Sequence, residues 1–297
     1  MPSSIKKVWG KNRVLKLKKI AANIVRSMHN MVFTDLSYLE FHLTDHCNLN
    51  CSGCGHFSNI SPISFADINQ YKGDIFRLSK LFHNIHKIRI MGGEPLLHSE
   101  VASFIKLTRK AFPRADIRLA TNGILLDKAS LDFWNTCHET GAIIDLTVYP
   151  PFYNKVYHWE SLSAAHGVYL SSLTQKNQFY AHLDLNGNSN KEKSFLECRK
   201  KYYCPFLQNG YIYPCAMPAL VHYFNDKFGY KIDSATGIDL YSSDLTGNEI
   251  IKRLNTPFET CKWCSTQFIP YSWSVSSKTP QEWDVEFYKH NTELLHD

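Results

Sequence analysis

Leu39-Glu40-Phe41-His42-Leu43-Thr44, followed at once by the loop Cys47-Asn48-Leu49-Asn50-Cys51-Ser52-Gly53-Cys54, is where the fold declares itself. Apolar residues alternate through the first stretch, as a half-buried β-strand requires. Three thiols then crowd into one loop that can wrap a metal centre, and soft thiolates favour zinc or iron–sulfur clusters. The count of three is informative, because a four-iron cluster held by three thiolates keeps one iron open to another ligand. Zinc with His56 as fourth ligand is the competing, purely architectural reading.

Strands and helices alternate downstream. Ser64 and Asp67 form a capping signal ahead of Ile68, Tyr71, Ile75, Leu78 and Phe82, which share one helical face. Lys87-Ile88-Arg89-Ile90-Met91 reads as a strand ending at Gly92-Gly93-Glu94-Pro95, and a helix is expected from about Ser99 to Ala111. Asp116-Ile117-Arg118-Leu119-Ala120 leads as a strand into Thr121-Asn122-Gly123, a helix passes through Leu131 and Trp134, and Ala142 to Val148 forms a further strand. Weaker signals run through Trp159, Val168-Tyr169-Leu170 and Phe179-Tyr180-Ala181.

This rhythm implies right-handed crossovers and a parallel sheet. It also sets the cysteines beyond the carboxyl end of a strand, where ligand sites of such sheets collect. The polar run from Asp184 to Lys191 breaks the pattern. The expected organisation is a basic amphipathic helix within 1–35, an α/β core over 36–185 and a small cysteine-rich module over 186–297.

Hydrophobic residues at 44% beside charged residues at 20% describe a globular composition. No run reaches the eighteen or so apolar residues of a membrane span, and no export signal opens the chain, so the expected location is cytoplasmic. Nine cysteines without an export signal suit metal binding or catalysis better than disulfides. The net charge of +6 is concentrated ahead of the first acid, Asp35, in Lys6, Lys7, Lys11, Arg13, Lys16, Lys18, Lys19 and Arg26. Within that stretch Val14, Leu17, Ala21, Ile24, Met28 and Met31 make one apolar helical face, either packed on the core or free for a membrane surface or partner. A nucleic-acid partner is not expected.

Cys198, Cys204, Cys215, Cys261 and Cys264 gather in the last third, leaving Cys137 as a buried small apolar residue of a helix. Cys261-Lys262-Trp263-Cys264 has a metal-binding or redox pair spacing. Cys215 closes Gly210-Tyr211-Ile212-Tyr213-Pro214, an apparent hairpin strand. Together they suggest a second metal site, with structural zinc as the alternative.

Cys47-x-x-x-Cys51-x-x-Cys54 after a strand, with Gly92-Gly93-Glu94-Pro95 at the end of the next, resembles the radical S-adenosylmethionine superfamily over roughly Tyr38 to Tyr180. The resemblance implies a partial (β/α) barrel of parallel strands, a [4Fe-4S] cluster on Cys47, Cys51 and Cys54, and S-adenosylmethionine on the open iron. It implies reductive cleavage to a 5′-deoxyadenosyl radical that takes hydrogen from a substrate, the cofactor carrying the chemistry and the protein supplying orientation. Gly92, Gly93, Glu94 and Pro95 would bind the cofactor, the two glycines letting backbone approach it and Glu94 meeting its ammonium group. Asn122 would sit near its ribose or methionine end, with Thr147 a weaker candidate. Family members commonly carry an aromatic residue before the third cysteine to pack near adenine; Gly53 stands here, and Phe57 or His56 is the expected replacement.

The last third resembles the auxiliary-cluster modules of the SPASM and Twitch type. That likeness implies a second [4Fe-4S] cluster on Cys198, Cys215, Cys261 and Cys264, with Cys204 as substitute ligand or free thiol. The expected function is a radical S-adenosylmethionine oxidoreductase that oxidises or rearranges a carbohydrate or aminocyclitol, served by an electron donor such as flavodoxin or ferredoxin. The alternatives are a peptide-modifying maturase of the SPASM type and a non-catalytic zinc-supported protein binding nucleic acid or lipid. Tyr149, Tyr153, His158 and Tyr211 are candidates for the substrate pocket, and no general base is assigned.

Overall fold

A computed structural model describes residues 18–19, 34–234 and 236–291. The basic amphipathic stretch, apart from the helical Lys18 and Lys19, lies outside them. Five strands, β1 (Asp35–His42), β2 (Asn84–Met91), β3 (Asp116–Thr121), β4 (Ile143–Val148) and β5 (Leu170–Gln175), lie parallel and in sequence order. Between them run α1 (Ile68–Leu81), α2 (Val101–Ala111), α3 (Leu131–Thr140) and α4 (Val156–Ala165). The expected α/β architecture with a mostly parallel sheet is therefore present.

Local chemistry sets the boundaries. The Asp67 carboxylate accepts from the Asn69 and Gln70 amides at 2.9 and 2.8 Å and starts α1. Ser130 caps α3 through the Phe133 amide, and Gly141 ends that helix in the left-handed conformation at φ 64°.

Beyond β6 (Gln178–Leu183) and α5 (Lys191–Lys201), β7 (Phe206–Gln208) returns to the main sheet, parallel to β1. β8 (Tyr211–Tyr213) pairs antiparallel with β7 and continues the sheet. After α6 (Met217–Leu220) and α7 (His222–Phe228), β9 (Ile238–Asp239) forms its last strand. α8 (Gly247–Leu254), β10 (Cys264–Ser272) and α9 (Val285–His290) complete the described chain.

Two expectations need correction. The Phe179-Tyr180-Ala181 signal does not continue the parallel sheet, because β6 pairs antiparallel with β10 in a separate two-stranded sheet. Gly210 belongs to the hairpin turn rather than to a strand: Asn209 and Gly210 take φ 47° and 83°, which suits a two-residue hairpin connection. The Gly210 amide donates to buried Asp74 of α1 at 2.8 Å, so that turn is pinned to the core.

The two faces of the sheet differ. Leu39, Phe41, Ile88, Ile90, Ile117, Leu119, Ile144 and Leu146 pack under the helices against Tyr71, Ile75, Phe104 and Trp134. Strand periodicity turns their neighbours Arg89, Met91, Ala120, Thr147 and Tyr149 to the opposite face, where they line a cavity. A parallel sheet covered on both faces reads as continuous apolar runs. The polar alternation here marks one face as a binding surface. Among the described residues, no helix is long and apolar enough to cross a membrane.

Candidate functional site

The cavity lies beyond the carboxyl ends of β1 to β4 and has a volume of about 380 Å³. Cys47, Cys51 and Cys54 form one wall, Gly92, Gly93 and Asn122 another, and Arg89, Thr147, Tyr149, Lys176 and Phe179 also contribute. All three thiols line this one space, and soft thiolates suit a cationic metal cluster. Burial, with the neighbouring thiols adding to it, pushes the Cys47 thiol well above its ordinary range, and burial pushes Cys51 up to about 12. Coordination by a metal would release those protons.

The glycines act on the protein's own backbone. A Cβ at Gly92 would fall 2.2 Å from the Thr44 carbonyl oxygen, and one at Gly93 would fall 2.0 Å from that of His46. The Gly93 amide donates to Thr44 O at 2.8 Å and the Glu94 amide to His46 O at 3.2 Å. The end of β2 is thus pressed against the start of the cysteine loop, and only residues without side chains allow that approach.

Glu94 is fully buried, and neither it nor Pro95 lines the cavity. Its carboxylate accepts from the Thr121 hydroxyl at 2.7 Å, the Asn122 amide at 2.9 Å and the Leu96 amide at 3.1 Å. Burial pushes its pKa up to about 7 despite those three donors. In this arrangement the carboxylate ties the ends of β2 and β3 together. Asn122 follows from that tie: its side-chain amide donates to Asn48 Oδ1 at 2.7 Å and lies 3.8 Å from Cys47 Sγ.

Of the remaining candidates, Thr147 and Tyr149 line the cavity, whereas Tyr153, His158 and Tyr211 do not. His158 instead bonds to Asp127 on the surface, and Tyr211 belongs to β8. Phe57 cannot stack on a cavity ligand, because it is packed against Phe224 and Trp283 in a second core. His56 does face the cavity.

A buried chain that the sequence reading missed runs behind His56. Tyr223 donates to Asp45 at 2.7 Å, Asp45 pairs with His42 Nδ1 at 2.7 Å, and His42 Nε2 meets His56 Nδ1 at 3.0 Å. Burial, then His42, pushes His56 down to about 3, which makes it a neutral ring. The only signal for this chain was the inner-face register that His42 shares with Glu40 on β1. Tyr223 was beyond local reading.

The five later cysteines meet in a smaller cavity. Cys198 of α5, Cys204, Cys215, Cys261 and Cys264 line it, with Phe195, Met217 and Phe258 among the apolar walls. Burial and then the neighbouring Cys264, Cys198 and Cys261 push the Cys215 thiol well up; for Cys204 the thiols that follow burial are Cys215 and Cys198. Cys137 is buried on α3, as expected of a small apolar residue. Among the described residues, no group of three or more Cys, His, Asp or Glu side chains converges as a single metal ion would need.

Residues 41–159 match the family described as Radical SAM superfamily. Residues 41–159 are thus similar to a domain of that family, whose members use a [4Fe-4S] cluster and S-adenosylmethionine. GTP 3′,8-cyclase of Geobacter sulfurreducens is 34% identical over 99 residues, covering 33% of this chain and 30% of that protein. Molybdenum cofactor biosynthesis protein 1 of Dictyostelium discoideum is 39% identical over 94 residues, covering 31% and 15%. The alignments thus span about a third or less of these curated relatives. Among solved structures, BtrN in complex with AdoMet and 2-DOIA is similar at 20% identity and a TM-score of 0.42, covering 77% of this chain and 92% of that one.

Proposed function

We propose that this chain is a radical S-adenosylmethionine oxidoreductase acting on a small polar substrate of the carbohydrate or aminocyclitol class. The observation that carries the reading is the convergence of Cys47, Cys51, Cys54, Gly93 and Asn122 on one cavity at the carboxyl ends of parallel strands. A four-iron cluster bound there supplies the electron that cleaves S-adenosylmethionine to the hydrogen-abstracting radical.

The chain's own residues position and shield. Gly92 and Gly93 fix the cysteine loop against β2, and Glu94 and Asn122 fix it against β3. Tyr149 and Phe179, with ring centroids 6.2 Å apart, are the aromatic groups on the cavity wall and replace Phe57 as the expected adenine contact. Burial and then the three cysteine thiols keep the Tyr149 phenol neutral. The deeper wall offers Arg89, held by Asp145 at 2.9 Å, together with Thr147 and Lys176. Two cationic groups beside a hydroxyl suit a polyol better than an apolar substrate.

For the later cysteines, the apolar walls and mutually raised thiols support a second [4Fe-4S] cluster on Cys198, Cys215, Cys261 and Cys264, with Cys204 the substitute ligand. Its role would be to accept the electron left on a substrate radical.

The test is anaerobic reconstitution followed by reduction in the presence of S-adenosylmethionine. The protein should form 5′-deoxyadenosine, and a Cys47→Ala/Cys51→Ala/Cys54→Ala variant should form none while keeping the iron and sulfide of the other site. A reconstituted wild-type protein that makes no 5′-deoxyadenosine would overturn the reading.

A further inference from the structure

The segment that ends β10 and follows it closes over the first cysteine loop from more than 200 positions away in sequence. The Ser52 amide donates to Ser274 O at 2.9 Å and the Ser276 amide to Asn50 O at 2.8 Å, while Cys51 and Val275 form an isolated antiparallel bridge. Tyr271 donates its hydroxyl to Ser52 O at 3.0 Å, and Trp283 donates its indole N–H to the Cys54 carbonyl at 2.8 Å. Glu282 accepts from the Gly53 amide at 3.2 Å.

These contacts explain Gly53. The residue sits at φ +57°, and a Cβ there would fall 2.0 Å from Tyr271 Oη and 2.4 Å from Glu282 O. The space that a side chain before the third cysteine would need belongs to the C-terminal segment. One contact in this segment reaches a thiol: Trp273 Nε1 lies 3.1 Å from Cys51 Sγ.

We propose that the segment from Tyr271 to Trp283 completes the first cysteine site, with Trp273 as a positioning residue whose indole N–H donates to Cys51 Sγ and favours reduction of a cluster held there. This rests on the reading that Cys47, Cys51 and Cys54 hold such a cluster. Hydrogen bonds to cluster sulfurs help set the potential. A ligand sulfur carries more negative charge in the reduced state, so the bond is stronger there and the potential rises.

The test uses the full chain, reconstituted without oxygen, as wild type and Trp273→Phe. Iron and sulfide are counted, and a redox titration is followed by electron paramagnetic resonance on the signal that changes when S-adenosylmethionine is added. Trp273→Phe should keep its iron and sulfide and be about tenfold harder to reduce, a potential about 59 mV more negative for a one-electron step. Wild-type protein labelled with ¹⁵N in its indole rings should also show an indole nitrogen coupled to the same reduced cluster. That second measurement decides the matter if Trp273→Phe fails to fold or to load.

Equal potentials in equally loaded proteins, or no indole coupling, would overturn the assignment of Trp273 alone. A wild-type protein with no signal responsive to S-adenosylmethionine would overturn the cluster reading and this assignment with it.

Discussion

Cys47, Cys51 and Cys54 occupy one loop and lie within eight consecutive residues, whereas Cys198, Cys215, Cys261 and Cys264 come from α5, the segment after β8, a short 3₁₀ turn and the start of β10. The first set nevertheless depends on distant residues for its shape: β2 presses on it through Gly92 and Gly93, and the segment after β10 covers it. Apart from the local Cys261 and Cys264 pair, the second set is brought together by tertiary contact and enclosed by apolar side chains. A ligand motif can thus be local while the site it builds is not.

The sharpest way to separate the two sets is to break each once. Cys47→Ala should abolish 5′-deoxyadenosine formation. Cys261→Ala should remove the iron of the second set while S-adenosylmethionine is still cleaved. Cys204→Ala should leave the iron and sulfide content of both sets intact; loss of iron from that variant would exchange Cys204 for Cys198 in the ligand set.

A smaller effect is expected from the backbone that supports the first loop. Gly93→Ala forces a Cβ to within 2.0 Å of His46 O and 2.7 Å of the Cys47 amide, a clash with backbone that cannot swing aside. The expected cost is about 1–3 kcal/mol, with lowered iron content at the first set only. Gly55→Ala is the matched control, since its nearest neighbour is a His182 ring atom 3.8 Å away, and it should change stability by less than about 0.5 kcal/mol. Thermal unfolding and iron counts on the pair measure the difference, and equal melting temperatures would show that the loop yields.

A more gradual effect, spread over several pH units, is expected from Glu94. Burial lifts the Glu94 carboxyl from 4.5 to about 7, so the folded chain binds a proton there that the unfolded chain has already released. The stability this lends is fully present below about pH 4.5 and is lost as pH rises through about 7, amounting to up to about 3 kcal/mol. The melting temperature of the wild type should fall relative to Glu94→Gln between pH 5 and pH 8. A constant gap between the two would remove Glu94 as the titrating group.

Local patterns carried a good part of the fold. The Asp67 cap and the apolar face from Ile68 to Leu78 lie where the sequence predicted them, because each is set by residues within one or two turns, whereas the strand read from Leu39 to Thr44 runs from Asp35 to His42 and is buried on both faces over Leu39–His42. The same patterns failed for Phe179 to Ala181, which fit a strand of either sheet until β10 is available to pair with. They failed also for Phe57, whose position near the cysteines suggested a ligand contact but whose ring is held in the core formed with Phe224 and Trp283.

What the sequence determined by itself was the cysteine loop, its partnership with Gly92-Gly93-Glu94-Pro95 and the βα rhythm that carries both, since thiolate chemistry and hydrophobic period are properties of short segments. Only the tertiary structure decided what those residues do to one another. It turned the glycines against the loop's backbone, buried the Glu94 carboxylate between two strand ends, and filled the space at Gly53 with Tyr271 and Glu282. The physical reason is that steric exclusion and hydrogen bonding act between atoms in contact, and here the contacts join residues that are tens to hundreds of positions apart.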